Sequence, residues 1–576
     1  MASIRMLAKE WLRLDQDEET RSEIEQLLEQ QNSTELEHLL STRLVFSTAS
    51  LRAQIGAGYA RLNSLTIIQT SQGLGEYIIH EGIAPSGVVV GHDARHNSQK
   101  FAELAAAAFM AKGIPVWWYE NIVHTPMVPF AVKTFKAAAG VMITASHNPK
   151  QDNGYKVYGS NACQINSPVD SYIAASIIDN LKPEIWKFND SSPLLKPILQ
   201  QATEDYMDTL FQYVKAYPNM PHQCPAFVYT PMHGVGYSPM TAITQKLNIW
   251  GKMFVVHDQA QPDADFPTVR FPNPEEYGAL DLAKATADRE GITLLIANDP
   301  DADRFAVAEK VDGHWKQFTG DQVGVLFAHF LREDLKNQTS HVWMLTTAVS
   351  SQMLSVIADG DFSVGETLTG FKWLGNRALD LVKTGEVVKY AYEEALGYMF
   401  PEIVHDKDGI AAAVIFLCAC ATWGSPWAKL QQLYEIHGYF ETMNTYWKSP
   451  DLVTTGKIFE HVRRLGTPYP THVAGKEVLR WRDLTVGYDS STADNVPELP
   501  SSSESQMITC WLQGIRFTIR ASGTEPKIKI YLECHNKNRE AAKASAAEVL
   551  SRISKEWFGD PTLIIEQKYA HLAVAT

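Results

Sequence analysis

The sequence lacks several features that would place it in well-known classes of protein. Its six cysteines include no Cys-x-x-Cys pair and no spacing typical of metal ligands, which argues against a cysteine-bound metal. The longest apolar run, residues 410–423, has only about 14 residues, whereas a bilayer-spanning helix needs about 20. We therefore predict a helix of the protein core there, with buried thiols at Cys418 and Cys420.

Basic residues are outnumbered as well, since 51 Lys and Arg face 66 Asp and Glu, for a net charge of −15. Nucleic acids and membrane surfaces attract proteins through extended basic patches, so we predict neither kind of partner. A small anionic ligand is not excluded, because it needs only a local group of cations and backbone N–H groups. The N-terminus turns acidic without the apolar core of a signal peptide, so we expect a cytoplasmic protein.

The order of strands and helices predicts the fold class. Short β-branched strands recur, each ending in a polar or glycine-bearing loop before a helical stretch, which is typical of α/β sheets. In such sheets ligands bind at the carboxyl ends of the strands. Residues 515–534 differ, because they predict a β-hairpin that a long helix follows.

The predicted fold is therefore α/β, with three similar mixed α/β sheet domains and a C-terminal α+β domain. A length of 576 residues agrees with about four domains. Helical apolar spacing predicts one or two helices in an N-terminal extension at 1–43. We place domain I with a serine loop at 44–205, domain II with an acidic loop at 206–325, domain III at 326–445 and domain IV at 446–576.

The stretch GVMITASHNPKQDNGYKVYG, at 140–159, places a serine at the end of an apolar strand. Pro149 and Gly154 predict that the chain then breaks into a loop. Two interpretations of Ser146 are open. A lone serine in this position is more often a helix N-cap, but at the mouth of a strand it can also be a nucleophile.

The loop ANDPDADR, at 297–304, places three carboxylates directly after a hydrophobic strand. Asp299, Asp301 and Asp303 repel one another unless a cation neutralises them, and oxygen ligands suit Mg²⁺ or Ca²⁺. An EF-hand does not fit, because Arg304 stands in place of its glycine and Lys310 in place of its last glutamate. The pattern favours Mg²⁺ serving phosphate chemistry.

Two further loops carry candidate ligand-binding residues. In RASGTEPKIK, at 520–529, a glycine-containing turn between cations can bind an anion, although an ordinary hairpin turn is equally consistent. In YEEALG, Glu393 and Glu394 can accept hydrogen bonds from sugar hydroxyls, although adjacent glutamates more often lie at a solvated helix start. Lys407, taken alone, is typical of a surface lysine.

Together these loops supply what is needed to move a phosphoryl group on a sugar. The motifs TASHNPK…GYKVY, DPDADR, ETLTGFKWLGNR, EEALG and RASGTEPKIKIY also occur in the order and spacing of the α-D-phosphohexomutases. The sequences of the segments GYKVYG, YTPMHGVG and FPNPEE most resemble those of the phosphoglucomutase-2/phosphopentomutase branch. The resemblance runs from about residue 44 to the C-terminus and implies an active site in the central cleft.

The resemblance also implies a role for each candidate residue. Ser146 carries the phosphate, and Asp299, Asp301 and Asp303 bind Mg²⁺, with the seryl phosphate completing the metal site. Near the serine, the resemblance implies that Arg52 contacts the seryl phosphate, that His147 and Lys156 contact phosphate or transfer protons, and that Lys407 has an acid–base role. For the sugar, it implies that Arg304 contacts the substrate, that Thr369 and Gly370 recognise the sugar's orientation, and that Glu393 and Glu394 bind hydroxyls. The non-transferring phosphate is implied to bind in a clasp formed by Arg520, Ser522, Gly523, Thr524 and Lys529.

The implied activity is that of a phosphosugar mutase acting on ribose and glucose phosphates. A phosphoserine donates its phosphoryl group to the sugar phosphate, and a bound bisphosphate turns over before the other phosphate returns to the serine. The implied cofactors are Mg²⁺ and a sugar 1,6-bisphosphate, or 1,5-bisphosphate, as activator. The partners are small-molecule sugar phosphates, and the oligomeric state is not predicted.

Two alternatives to a mutase are open. One is a glucose-1,6-bisphosphate synthase with an acyl-phosphate donor, and the other is a weakly active relative that binds sugar phosphates. The second rests on FSTASLRA (46–53), where Ser47, Ser50 and Ala53 replace the expected glycines, so we expect strain or a shifted Arg52. Ala395 replaces a serine of the hexose-specialised enzymes, which favours acceptance of a pentose.

Overall fold

The computed structural model divides into two compact units. The first unit comprises Met1–Gly320 and Phe371–Gly424, and the second comprises Asp321–Gly370 and Ser425–Thr576. The structure describes residues 2–44, 50–217, 219–220, 222–333, 335, 341–503, 505–522, 526–559 and 566–569.

The first unit begins with three helices, whereas the sequence predicted one or two. The reason lies in two polar caps: the Asp17 carboxylate accepts the N–H of Glu19, and the Asn32 side chain accepts that of Glu35. Their apolar faces bury Trp11, whose ring packs on Tyr59 at 4.9 Å. The three helices are α1 (Ala2–Leu14), α2 (Glu18–Glu29) and α3 (Ser33–Leu40).

The first sheet has six strands in the order β1-β5-β4-β2-β3-β6. Strands β4, β2, β3 and β6 are parallel neighbours, while β1 and β5 run antiparallel at one edge. The elements are β1 (Ser50–Gln54), α4 (Ser64–His80), β2 (Val88–His92), α5 (Ser98–Ala111), β3 (Val116–Trp118), α6 (Met127–Phe135), β4 (Ala139–Ile143), β5 (Asp152–Gly159), α7 (Val169–Asp179), β6 (Leu195–Pro197) and α8 (Leu199–Val214).

The prediction of a loop around Gly154 was wrong. The loop after β4 ends by Gln151, and Gly154 lies inside β5, paired between β1 and β4. A Cβ atom at Gly154 would lie 2.4 Å from the carbonyl oxygen of Thr144, so glycine here allows a close approach of two backbones. The antiparallel return of β5 places Lys156 beside the serine loop.

The second sheet, also in the first unit, has five strands in the order β11-β10-β9-β7-β8, with β9, β7 and β8 parallel. Strand β9, which is buried along its whole length, ends at the acidic loop. The elements are β7 (Phe227–Thr230), α9 (Tyr237–Lys246), β8 (Met253–Val255), α10 (His257–Ala260), α11 (Asp281–Glu290), β9 (Leu294–Asn298), β10 (Phe305–Val311) and β11 (His314–Gln317).

The following stretch contributes one strand pair to each unit. In the second unit β12 pairs in parallel with β13, and in the first unit β14 pairs antiparallel with β15. The elements are α12 (Gly320–Arg332), β12 (Val342–Thr347), α13 (Met353–Ala358), β13 (Ser363–Thr367), α14 (Phe371–Lys383), β14 (Val387–Glu393), β15 (Gly397–Met399) and α15 (Gly409–Trp423).

Helix α15 confirms the predicted core helix, because its residues from Gly409 to Ala421 are buried. The two cysteines in it are buried free thiols. Across the described chain, no single helix has the length and apolar character to cross a membrane, although α15 together with Pro426–His437 passes that test by length and composition alone.

The rest of the second unit is built on a seven-stranded sheet in the order β20-β19-β21-β22-β23-β16-β24. The predicted hairpin is confirmed as β22 and β23, and the predicted long helix follows it. The elements are α16 (Pro426–His437), β16 (Tyr439–Lys448), α17 (Leu452–Arg463), β17 (His472–Val473), β18 (Lys476–Glu477), β19 (Arg480–Asp483), β20 (Tyr488–Asp489), β21 (Met507–Leu512), β22 (Ile515–Ala521), β23 (Lys527–Asn536), α18 (Arg539–Phe558) and β24 (Glu566–Tyr569).

Candidate active site

Ser146 lies in a buried loop at the carboxyl end of β4, in a strained backbone conformation with φ of +55°. The Arg95 guanidinium holds this loop, because it donates to the carbonyl oxygens of Ser146 and Asn148, each at 2.6 Å. It also donates to the Pro149 carbonyl at 2.9 Å. A single buried side chain thus fixes the path of the loop on both sides of Ser146.

The hydroxyl of Ser146 donates a 2.8 Å hydrogen bond to Oδ2 of Asp299, which lies at the end of β9. Its other described neighbour is Nδ1 of His147, at 3.3 Å. The next regular element after Ser146 is a strand, β5, so the helix N-cap interpretation is excluded. The side chain points instead at the acidic loop.

The acidic loop brings three buried carboxylates together. Each of Asp299, Asp301 and Asp303 offers an oxygen within 4.8 Å of the others. Backbone packing fixes the turn, since a Cβ atom at Gly409 would lie 2.3 Å from the Arg304 carbonyl oxygen. The sequence pattern and the tertiary structure therefore agree on a single acidic cluster.

Two buried lysines neutralise much of this acidic charge. Nζ of Lys156 lies 2.7 Å from Oδ2 of Asp301 and 2.8 Å from Oδ2 of Asp303. Nζ of Lys407 lies 3.1 Å from the same oxygen of Asp303. Burial acts to lower the pKa of each lysine, but the nearby carboxylates have the larger effect, so the pKa of each lysine is raised. Both lysines therefore stay protonated. Neither lysine is the surface residue that its type alone predicts.

The donor set fits a divalent cation. Oδ1 of Asp301 and Oδ1 of Asp303 are buried, and neither accepts a hydrogen bond within the described chain. Unsatisfied buried carboxylate oxygens are costly, and hard oxygen atoms are the ligands that Mg²⁺ prefers. Burial and the neighbouring Asp301 and Asp303 raise the pKa of Asp299 well above its usual value, as expected of a crowded acidic cluster.

Arg304 and His147 lie beside the cluster. The N–H of Arg304 donates to Oδ1 of Asp299 at 3.0 Å, and its guanidinium lies 3.7 Å from Glu275. Burial, followed by the charges of Arg304 and Arg52, holds the pKa of His147 well below its usual value. A neutral imidazole therefore lies next to the serine hydroxyl.

Glu393 ends β14, and its charge interacts with that of Lys407. A Cβ atom at Gly397 would come within 3.0 Å of Lys407 and 3.1 Å of Glu393, so glycine leaves room for both side chains. Burial raises the pKa of Glu393 to about 7, and the neighbouring Glu394 adds to the effect. No helix begins at this pair, which overturns the alternative of a solvated helix start.

Arg52 lies on β1, where its Nη1 donates to the Asn148 side chain at 3.1 Å. The strain expected at Ser50 and Ala53 is not found, because both pair with β5 in an ordinary strand and neither has a positive φ. Ser47 lies outside the described residues. The described part of this segment therefore accommodates its substitutions without distortion.

In the second unit, Thr369 and Gly370 follow the end of β13. The Thr369 hydroxyl is buried and makes no hydrogen bond within the described residues. Gly370 has a φ of +110°, a conformation that strongly favours glycine. These two residues form a short loop with an unsatisfied hydroxyl.

The predicted clasp is described in part. Arg520 and Lys529 are directly opposite each other across β22 and β23, and Ser522 follows β22. Gly523 and Thr524 lie outside the described residues. The two strands thus bring a pair of cations side by side at the base of this turn, and such a pair can bind an anion.

Several residues of the site were missed in the sequence. Thr125 donates to Oδ2 of Asp301 at 2.6 Å, and Asp93 accepts the Thr144 hydroxyl at 2.6 Å, which in turn accepts the N–H of Ser146. Asp93 and Arg95 follow β2, the parallel neighbour of β4, so strand-end position was an available signal for them. Thr125 follows no strand directly and had no such signal.

Family profiles match this chain in four segments. The profile described as "Phosphoglucomutase/phosphomannomutase, alpha/beta/alpha domain I" matches residues 43–184. Those of domain II, domain III and the C-terminal domain match residues 204–313, 319–437 and 512–551. The four matches agree with the predicted α/β architecture of four domains.

Full-length relatives are also found. A probable phosphoribomutase of Schizosaccharomyces pombe is 44% identical, covering 96% of this chain and 97% of its own. The phosphopentomutase of Homo sapiens is 41% identical, covering 95% of each chain. The glucose 1,6-bisphosphate synthase of Homo sapiens is 39% identical, covering 91% of this chain and 89% of its own.

A solved structure shares the fold. The Paramecium phosphoprotein pp63/parafusin, a phosphoglucomutase, has a TM-score of 0.69 at 17% identity, covering 92% of this chain and 98% of its own. At that identity the likeness shows the fold alone. With four family profiles and full-length relatives above 40% identity, the chain belongs to the phosphoglucomutase/phosphomannomutase (α-D-phosphohexomutase) superfamily, in its phosphoglucomutase-2-like branch.

Proposed function

We propose that this chain is a phosphosugar mutase that moves a phosphoryl group between the 1-position and the 5- or 6-position of ribose and glucose phosphates. The observation that carries the proposal is the Ser146 hydroxyl, hydrogen-bonded at 2.8 Å to a buried cluster of three carboxylates and two lysines. Phosphoryl transfer depends mainly on positioning and charge neutralisation, which this cluster supplies.

The reaction transfers the phosphoryl group in two steps. A sugar hydroxyl attacks the phosphorus of phospho-Ser146, so the bond from phosphorus to Oγ of Ser146 breaks and a bond to the sugar oxygen forms. The resulting bisphosphate turns over, and Ser146 then takes the other phosphoryl group. The product is the isomeric monophosphate, and the serine is phosphorylated again.

The proton of the attacking hydroxyl needs an acceptor. The candidate acceptor is His147, whose Nδ1 lies 3.3 Å from Oγ of Ser146. The nearby carboxylates raise the pKa of Lys156 and Lys407, so both lysines are protonated and suit charge stabilisation or proton donation.

Asp299, Asp301 and Asp303 would hold Mg²⁺, together with an oxygen of the seryl phosphate. When bound, Mg²⁺ neutralises the charge of the phosphoryl oxygens. Arg52 would contact the seryl phosphate and Arg304 the substrate, and a sugar bisphosphate would serve as activator by phosphorylating Ser146. The proposed domain boundaries remain 44–205, 206–325, 326–445 and 446–576, and the proposed location is the cytoplasm.

The sugar would be held at its hydroxyls by Glu393 and Glu394, with Thr369 and Gly370 reading its orientation. Its non-transferring phosphate would lie between Arg520 and Lys529, with Ser522, Gly523 and Thr524 adding donors. Ala395 removes one hydroxyl from this surface, which favours acceptance of a pentose.

A coupled assay with Mg²⁺ and a trace of sugar bisphosphate tests the proposal. Ribose 1-phosphate and glucose 1-phosphate are offered separately to the native chain, to Ser146→Ala and to Ser176→Ala. Ser176 is the control, because its hydroxyl donates to a backbone carbonyl oxygen away from the site. We expect turnover with the native chain and the Ser176 variant and none with Ser146→Ala. Intact-mass measurement should find one phosphate on every active form. Turnover that persists in Ser146→Ala would refute the phosphoserine mechanism.

A glucose-1,6-bisphosphate synthase is the second candidate, favoured by the 39% identity to the human enzyme of that name. It differs in its donor, so 1,3-bisphosphoglycerate and glucose 1-phosphate are supplied together. A faster formation of glucose 1,6-bisphosphate than of glucose 6-phosphate would select the synthase. The weakly active relative loses part of its support, since Ser50 and Ala53 lie in an unstrained strand, while Ser47 lies outside the described residues.

A further inference from the structure

The loop at Leu368, Thr369 and Gly370 is joined to the sheet of the second unit rather than left in solvent. Leu368 packs against a cluster that contains Leu484 and Met507. At the base of the loop, the Ala348 N–H donates to the carbonyl oxygen of Thr367 at 2.8 Å. The compact second unit includes this loop up to Gly370.

Glu366, three residues before Thr369, connects β13 to two arginines of the sheet. Its Oε2 accepts a 2.6 Å hydrogen bond from Nη1 of Arg482, and its Oε1 accepts a 3.5 Å bond from Nη1 of Arg516. The two arginine side chains are 5% and 7% exposed, whereas that of Glu366 is 29% exposed. The ion pair is thus almost entirely withdrawn from solvent on the arginine side.

Strand β22 carries both Arg516 and Arg520. Residues four apart on a strand point to the same face, so β22 presents one arginine to Glu366 and the other to the predicted phosphate clasp. The position of Glu366 is therefore linked to that of Arg520 through a short, hydrogen-bonded piece of backbone.

A neighbouring loop is fixed in the same way. Nη2 of Arg516 donates to the carbonyl oxygen of Ser350, after β12. The N–H of Gln352 donates at 2.9 Å to Oε2 of Glu533, which lies on β23 directly opposite Arg516 of β22. The carboxyl ends of both β12 and β13 are consequently attached to one face of the β22–β23 pair.

We propose that Glu366 is a positioning residue that, through Arg482 and Arg516, fixes the Thr369–Gly370 loop to the strand bearing Arg520. The loop that recognises the sugar and the arginine that binds its phosphate are then held together. The distance between Thr369 and Arg520 therefore stays constant in either orientation of the substrate. The inference rests on the proposed function, because that function assigns Thr369 and Arg520 to the substrate.

The test compares Glu366→Gln, which keeps the shape and removes the charge, with Glu366→Asp, which keeps the charge. Glu441→Gln is the matched control: Glu441 pairs with Arg539 at 2.6 Å in the same unit and is 18% exposed, but it contacts neither loop. Hydrogen exchange of the segment 363–372 is measured alongside steady-state kinetics. Thr369→Ala is made alone and combined with Glu366→Gln.

We expect Glu366→Gln to raise hydrogen exchange in 366–371, where Glu441→Gln does not. We expect KM for both sugar phosphates to rise by about tenfold with kcat within about threefold, because binding is loosened and the buried cluster is untouched. Glu366→Asp should recover most of the affinity. In the Thr369→Ala background the same change should raise KM by less than about twofold, since the two residues act through one loop.

Unchanged exchange in 366–371 would overturn the inference whatever the activity, and so would raised exchange with an unchanged KM. An increase in KM that is fully additive with Thr369→Ala would also overturn it. Failure of the proposed function is distinct, because the native chain would then leave sugar phosphates unconverted while the exchange measurement still reported whether Glu366 anchors the loop.

Discussion

The acidic cluster of the first unit and the predicted phosphate clasp of the second unit differ in the arrangement of their charged groups. In the first unit, the cations at the candidate site lie within ion-pair distance of carboxylates, as Lys156 does with Asp301 and Asp303. All three groups are buried. In the second unit, Arg520 and Lys529 face each other as like charges, and Lys529 is exposed.

This difference separates two tasks. The charges of the first unit are largely balanced before any ligand arrives, so they preorganise the site and also contribute to the stability of the fold. The two cations of the predicted clasp would attract an anion, so they should contribute mainly to binding. Substitutions in the two units should therefore affect different measurements.

The largest expected effect is on turnover after Asp301→Asn. The change weakens the cation site and removes a partner of Lys156, so kcat should fall by about 10³-fold or more, equivalent to several kcal/mol. Asp288→Asn, which breaks an exposed pair with Lys310, is the control and should leave kcat unchanged. Native turnover in the Asp301→Asn protein would show that the acidic cluster takes no part in the reaction.

The second prediction concerns stability in the first unit. Lys156→Met leaves buried carboxylates without their partner, and the free energy of unfolding should fall by about 3 kcal/mol in the absence of divalent cations. Mg²⁺ should restore part of the loss, because it replaces the missing positive charge. Chemical denaturation with and without Mg²⁺ measures both effects.

Lys389→Met is the control for that experiment. Lys389 pairs at 2.7 Å with Glu402, whose side chain is exposed, so its loss should cost less than about 1 kcal/mol. Equal losses for the two variants, or no rescue of Lys156→Met by Mg²⁺, would contradict the distinction drawn between the units.

The third prediction concerns binding in the second unit. Arg520→Gln removes a charged donor to the substrate phosphate, and KM should rise by about 10- to 100-fold, equivalent to about 1.5–3 kcal/mol. The melting temperature should stay the same or rise slightly, because the like charge opposite Lys529 is removed. Lys543→Gln, on α18, is the control and should change neither quantity. A large loss of stability with an unchanged KM would reverse the comparison.

The smallest effect is on the pH dependence. Burial raises the pKa of Glu393 to about 7, so its carboxylate is charged above that pH and neutral below it. Since the charged form accepts hydrogen bonds from sugar hydroxyls, kcat/KM should fall by about tenfold for each pH unit below 7. Glu393→Gln should have a lower and flatter profile in that range. An identical acidic limb in the variant would assign the titration to another group.

Much of the candidate site was predictable from local sequence. Ser146, the acidic triad and Glu393 each stand at or just after the end of an apolar strand, which is where ligands bind in α/β sheets. Arg520 was predictable from the glycine-containing turn that follows it between two strands. The hairpin β22–β23 and helix α18 were predictable for a similar reason, since alternation and helical spacing are local patterns.

Other features were decided by distant contacts. Gly154 looked like a loop breaker, but it lies in a strand where β5 approaches the backbone of Thr144. Lys407 looked like a surface residue, yet it lies buried 3.1 Å from Asp303, more than 100 residues away. Neither result follows from residues near in sequence, because each depends on which strands become neighbours.

By itself the sequence determined the α/β class, the reactive groups and their places at strand ends, because hydrophobic periodicity and turn residues act over a few positions. Only the tertiary structure decided that two lysines share the acidic cluster and that Arg95 holds the serine loop. It also decided that Glu366 joins β13 to the sheet of the clasp. Buried charges find their partners wherever the chain packs, so the identity of each partner depends on the whole fold.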